Sequence, residues 1–181
     1  MKGVVFTEFL ELVEDKFSPE IADRIIAESD LESGGAYTAV GTYDYGEMVA
    51  LVSTLSRVAN TPVPDLLNAY GRHLFTRFHE LYPAFFEDKA SAFEFLADVD
   101  RYIHIEVKKL YPDAELPKFD IRTNGGARME MTYRSPRCLA DFAVGLIEGC
   151  AKHFGEAIEI RREDISAGGD GSAVRFVLEK Q

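Results

Sequence analysis

Residues 102–117, Tyr-Ile-His-Ile-Glu-Val-Lys-Lys-Leu-Tyr-Pro-Asp-Ala-Glu-Leu-Pro, decide how this chain is read. Leading into and through them, Phe95 or Leu96, Val99, Ile103, Val107 and Leu110 recur at spacings of three and four. The spacing predicts a long amphipathic helix with one apolar face turned to the core. Its histidine, His104, falls roughly 100° around the helical wheel from Ile103, at the flank of the stripe. Phe93, Asp100 and Tyr111 project to nearly the same side. Pro112 and Pro117 stop the helix from continuing. A single histidine beside an apolar stripe is ordinarily a hydrogen-bonded boundary residue, and alone it points no further.

Downstream the period changes from helical to alternating. Phe119 and Ile121 precede Asn124-Gly-Gly126, a hairpin-turn signal, and Met129, Met131 and Tyr133 then share one strand face. Ser135-Pro136 reads as a cap and first turn of a helix running to about His153-Phe154-Gly155, with Leu139, Phe142, Ala143, Leu146 and Ile147 apolar. Ile158 and Ile160 alternate next, Ala167-Gly-Gly-Asp-Gly171 turns the chain, and Val174, Phe176 and Leu178 form a last strand. Upstream the chain reads as helices. The first carries Val4, Val5, Phe9, Leu12, Val13 and Phe17, and the second opens at Ser18-Pro19. After a loop over residues 30–42, Asp44 with Glu47 looks like a capping box for a third. A fourth carries Leu66, Leu67, Tyr70, Leu74, Phe75 and Phe78, and holds Gly71, which suggests close approach of a neighbour. Ser91 with Glu94 is a second capping-box pair and starts the His104 helix. The expected fold is α+β: a helical N-terminal part over residues 1–62, then residues 63–181 with the His104 helix and a helix-packed four-stranded antiparallel sheet.

Tyr133-Arg-Ser135-Pro-Arg137 places a phenol, a hydroxyl and a guanidinium where the strand gives way to the helix. Such a group suits an anion, because arginine makes forked, charge-assisted bonds to carboxylates. A neutral imidazole for a metal together with a carboxylate clamp is what haem requires.

These two stretches, with the opening Met1-Lys-Gly-Val-Val-Phe, resemble the haem nitric-oxide/oxygen-binding (H-NOX) family, related to the haem domain of soluble guanylate cyclase. The resemblance covers essentially the whole chain. It implies the H-NOX fold, haem b (iron protoporphyrin IX) as cofactor and His104 as iron ligand. It further implies Tyr133, Ser135 and Arg137 on the haem propionates, and Pro117 pressing on the macrocycle. Val5, Phe9, Leu74, Phe78, Phe142 and Leu146 are the implied distal wall. Oxygen-binding members use a distal tyrosine as donor; the matching position here is Phe142, and a neighbouring position that can carry an amide is Leu74. Dioxygen gains from a donor far more than NO or CO does, so the expected function is NO sensing, with CO also bound. The implied mechanism is that NO weakens the Fe–His104 bond, the His104 helix is released, and the N-terminal helices shift. A separate protein would read the new surface, by analogy a histidine kinase or an enzyme of cyclic-di-GMP metabolism. The alternatives are a haem protein for gas storage or NO detoxification, and a haem-free interaction module.

The net charge of −11 argues against nucleic acid and anionic membrane surfaces. With 181 residues the chain can bury a full core. Cys138 and Cys150 cannot pair if both lie on one helix, about 18 Å apart along its axis. A reducing, cytoplasmic setting fits, and Glu8, Glu11, Glu14 and Asp15 interrupt the N-terminal apolar stretch too early for a signal peptide. No cysteine lies beyond residue 150, so no structural zinc site is expected. The chain has no nucleophile elbow, phosphate loop or His-Glu-x-x-His, and an enzyme is not expected. A Cys138 or Cys150 nucleophile with His153 as base is the enzymatic alternative. Of the other histidines, His73 beside Gly71 and Leu74 is the one to watch.

Overall fold

The computed structural model describes residues 1–124 and 126–181. The expected Asn124-Gly-Gly126 turn therefore includes one residue, Gly125, outside the described residues. Four helices come first: α1 (Gly3–Lys16), α2 (Pro19–Glu28), α3 (Tyr45–Ala59) and α4 (Val63–Leu81). After a 3₁₀ turn at Pro83–Phe85 come α5 (Ala92–Asp98), a π-helical turn (Val99–Ile103) and α6 (His104–Leu110). Strands β1 (Lys118–Asn124) and β2 (Arg128–Arg134), helix α7 (Ala140–His153), and strands β3 (Ile158–Asp164) and β4 (Ala173–Lys180) complete the chain.

The sheet is antiparallel throughout, in the order β1-β2-β4-β3. Its register sets Met129 against Leu178, Met131 against Phe176 and Tyr133 against Val174. All six are buried, and they meet Ala143, Ile147 and Cys150 of α7 in one core. The alternating strand residues face the other way, as a half-covered sheet requires. A second core joins Phe6, Phe9 and Val13 of α1 with Ile25, Leu51, Leu55 and the α4 residues Leu66, Tyr70 and Leu74. Helix α4 feeds both cores.

The crossing of α4 and α7 depends on glycine. A Cβ on Gly71 would come within 2.3 Å of the Phe142 carbonyl oxygen, and one on Gly145 within 2.0 Å of the Asn68 carbonyl oxygen. Backbone lies directly on backbone, which brings Leu74 and Phe78 beside Phe142 and Leu146.

Three local expectations change. The long His104 helix is interrupted: the N–H of His104 donates to Val99 O, five residues back, so a π turn precedes the histidine. Such turns are rare and cluster at functional sites. Asp44 caps α3 by accepting from the Gly46 N–H, but Glu47 does not close the box. Instead the buried Glu47 carboxylate accepts from the Ser33 N–H and hydroxyl and from the Tyr37 hydroxyl, anchoring the loop before α3. Ser135 is not a helix cap either. Its hydroxyl accepts from the Arg137 N–H in a tight turn, Cys138 follows at φ 53°, and α7 begins only at Ala140.

Candidate functional site

The two sides of the molecule enclose an apolar cavity of about 290 Å³. Val99, Ile103, Val107 and Leu110 line it, so the stripe predicted as core instead walls a cavity. Its other walls come from Val4 and Val5 of α1, Leu74 and Phe78 of α4, and Phe142 and Leu146 of α7. Pro117, Tyr133, Ser135, Arg137 and His104 line it too. The cavity thus brings together every sequence-predicted site residue but one. Phe9 does not reach it: that ring is buried in the N-terminal core, edge-on to Tyr70 at 5.2 Å between centroids. Tyr70 in turn lies 5.1 Å from Phe142 and donates its hydroxyl to the Val5 carbonyl. A broad apolar wall with few convergent polar groups suits a large flat ligand. An open cleft of about 360 Å³ around Lys89, Asp98 and Arg101 is charged instead.

His104 is held at one nitrogen. Its Nδ1 lies 3.3 Å from Asp100 Oδ1, and the same oxygen accepts from the Phe119 N–H at 3.3 Å. Donation from Nδ1–H to this carboxylate leaves Nε2 with its lone pair, the arrangement found behind metal-binding imidazoles. Burial pushes the imidazole below its usual pKa, and Asp100 pulls it partly back. A lowered pKa favours the neutral ring, the form that binds a metal. Asp100 went unassigned in the sequence, although its i, i+4 spacing to His104 is visible there.

The clamp residues converge at the rim. Tyr133 is buried, and its hydroxyl oxygen accepts from the Leu139 N–H at 3.0 Å, which leaves its own hydrogen to donate. Arg137 Nη2 and Nη1 donate to Glu115 Oε2 at 2.6 Å and to Glu115 O at 2.8 Å. Tyr45 of α3 donates to the Arg137 carbonyl at 2.7 Å, and its ring centre lies 5.7 Å from the guanidinium carbon. Lys2, also on the cavity wall, bonds Thr42 and Asp113. None of Lys2, Tyr45, Glu115 or Asp113 was singled out in the sequence, because each acts through a partner distant in the chain. Tyr82 and Tyr111 add hydroxyls to the wall; burial, then the Tyr111 hydroxyl, pushes Tyr82 up to about 12.

The remaining candidates lie elsewhere. His73 is absent from the cavity wall; among the described residues its buried Nε2 has no hydrogen-bond partner, and it sits 3.7 Å from Glu8, which is paired with Arg77. Cys138 precedes α7 while His153 ends it, and Cys150 is buried with its thiol on Ala92 O. Burial pushes both thiols up, aided by acidic neighbours, which disfavours the thiolate a nucleophile needs.

The family model described as haem-NO-binding (HNOB) matches residues 2–162. The chain belongs to the haem-NO-binding family. The crystal structure of the Fe(II) unliganded H-NOX protein from K. algicida is 41% identical with a TM-score of 0.94, covering 100% of this chain and 97% of that one. The solution structure of the H-NOX from Shewanella woodyi, with IWP-051 bound and in the Fe(II)CO state, is 39% identical at a TM-score of 0.85. It covers 100% of this chain and 95% of that one. The S. oneidensis H-NOX in the Fe(II)NO state, 23% identical at a TM-score of 0.91 over 100% of this chain and 99% of that one, shares the fold. A comparison with curated proteins finds no match. Membership makes this a haem-based gas-sensor domain. The donor set agrees: one neutral imidazole with a tethered Nδ1, an apolar wall, and a rim offering a guanidinium with phenol and serine hydroxyls fit haem and its carboxylates. Among the described residues no helix is long and apolar enough to cross a membrane.

Proposed function

We propose that this haem-NO-binding domain is an NO sensor that also binds CO, holds dioxygen poorly, and signals to a separate protein without catalysing a reaction. The observation that carries this reading is the Asp100-tethered imidazole of His104 on an apolar cavity with Tyr133, Ser135 and Arg137 at its rim. His104 would hold the iron, and the three rim residues would take the propionates of haem b. Haem would supply a ferrous iron able to bind a diatomic gas.

The chain's own residues set selectivity and output. Val5, Leu74, Phe78, Phe142 and Leu146 offer no donor to a bound gas, and a partly negative dioxygen gains nothing from them. Pro117 lines the cavity, and its role would be to press on the macrocycle. Val99 and Ile103 of the π turn are only partly buried against the sheet core, so the arm carrying His104 is held less tightly than the α4–α7 crossing. Lys2 and Thr42 hold Asp113, and Tyr45 holds Arg137, so motion of the arm and clamp reaches residues 1–62. Residues 1–62 shift against residues 63–181 as a ligand-biased two-state element. The partner is a histidine kinase or an enzyme of cyclic-di-GMP metabolism in the cytoplasm; the net charge of −11 disfavours nucleic acid and anionic membranes.

The test is the absorption spectrum of the anaerobically reduced protein before and after NO, CO and air. A histidine-ligated ferrous Soret band that shifts with NO and CO but forms no stable oxy complex is expected. Phe142→Tyr should then stabilise an oxy complex. A stable oxy complex in the parent protein overturns the selectivity argument, and a colourless haem-replete preparation overturns the haem role.

A further inference from the structure

The seat that Arg137 offers to a carboxylate is contested by the chain itself. Arg137 presents two parallel donors, and Glu115 takes both, one with its carboxylate and one with its carbonyl. Among the described residues on the cavity wall, Glu115 is the sole acid. The two partners differ in surroundings: the Arg137 side chain is 15% exposed and that of Glu115 is 82% exposed. Arg137 is therefore the fixed member, held from behind by Tyr45, while Glu115 reaches in from solvent. Glu115 belongs to residues 111–117, which are neither helix nor strand. That stretch is tied down again at Asp113, which accepts from Thr42 Oγ1 at 2.5 Å and from Lys2 Nζ at 3.3 Å.

A haem propionate is a carboxylate of the same chemistry. One guanidinium edge makes one forked, bidentate seat. Two carboxylates drawn to it repel each other, and the one with more access to water yields at the smaller cost. We propose that Glu115 competes with the haem propionate for Arg137, so that residues 111–117 act as a gate on haem loading and retention. The proposal rests on the haem reading given above. Exchange of one carboxylate for another leaves the buried guanidinium paired at every stage, and Glu115 returns to solvent with little loss. The tie at Asp113 limits how far the gate swings.

The experiment follows haem transfer in the full chain. Haem loss from the ferric protein to excess apomyoglobin and haem uptake by the stripped protein are both read at the Soret band. Glu115→Gln and Glu115→Ala should retain haem about two- to fivefold longer than the parent, the size of one exposed ion pair. In an Arg137→Gln background the substitution at Glu115 should change nothing, because the contested seat is gone. Unchanged or faster haem loss in both Glu115 variants overturns the gate and makes Glu115 a support for Arg137 instead. If the parent chain takes up no haem at all, the haem reading itself falls, and the gate falls with it.

Discussion

The α4–α7 crossing and the arm carrying His104 face the same cavity and are built in opposite ways. At the crossing, Gly71 and Gly145 let two backbones touch, and α7 buries Ala143, Ile147 and Cys150 against the sheet. Along Val99–Leu110 the apolar residues are at most partly buried, Val99 and Ile103 against the sheet core, the helix is broken by a π turn, and polar tethers at Asp98 and Asp100 add to that packing. A shift of a few tenths of an ångström at the crossing forces atoms into overlap, because interiors are close-packed. The same shift in the arm meets looser packing. The cavity therefore has one fixed wall and one movable wall, and the proposed iron ligand stands on the movable one.

The comparison is broken most severely at His104. His104→Gly should abolish proximal ligation, alter the ferrous spectrum completely, and be reversed by added imidazole; an unaltered spectrum would place the ligand elsewhere. Asp100→Ala keeps the ligand but removes its tether. Haem retention should fall about 10- to 100-fold, as for other outer-shell partners of metal ligands, with a lowered iron–histidine stretching band. Unchanged retention would reduce Asp100 to a cap on the Phe119 N–H. On the fixed wall, Gly145→Ala forces a Cβ against the Asn68 carbonyl and should cost about 1–3 kcal/mol in urea unfolding. A silent substitution there would show that the crossing can give, and the contrast between walls would be lost.

The smallest effect is expected at the start of the arm. Asp98 is bonded by Lys89 and Arg101, and the Lys89 hydrogen bond, with help from Arg101, holds its carboxyl below the usual range despite burial. A carboxylate lowered by folding stabilises above its unfolded pKa, about 4, and loses that contribution as pH falls through the lower folded value. Asp98→Asn should cost about 1 kcal/mol or less at neutral pH. The gap from the parent should close in acid, below about pH 4. A gap that persists there would assign the effect to packing.

The helices and the strands on either side of α7 were legible because each buries one face, and burial imposes a period that local sequence must carry. Tyr133, Ser135 and Arg137 stood out because they are chemically distinctive and close together in sequence; His104, far upstream, stood out through the family resemblance, and the fold sets all four on the wall of one cavity. Glu47 was misread because a capping box and a loop anchor have the same sequence, and only the position of Ser33 and Tyr37 separates them. Ser135 was misread as a cap for the same reason: a hydroxyl before a helix looks alike whether it binds the helix or its own turn. Phe9 has the right period for the cavity wall, one turn beyond Val5, but Tyr70 claims it for the N-terminal core.

By itself the sequence determined the α+β class, the apolar stripes and the distinctive side chains that the cavity collects, since periodicity and side-chain type are local properties. Tertiary structure alone decided that the apolar stripe faces a cavity, that a π turn changes the helical phase just before His104, and that Arg137 is shared with Glu115. Each depends on which surfaces meet across the fold, and a helix holding one extra residue in a turn keeps an apolar spacing that reads as regular until its partners are in place.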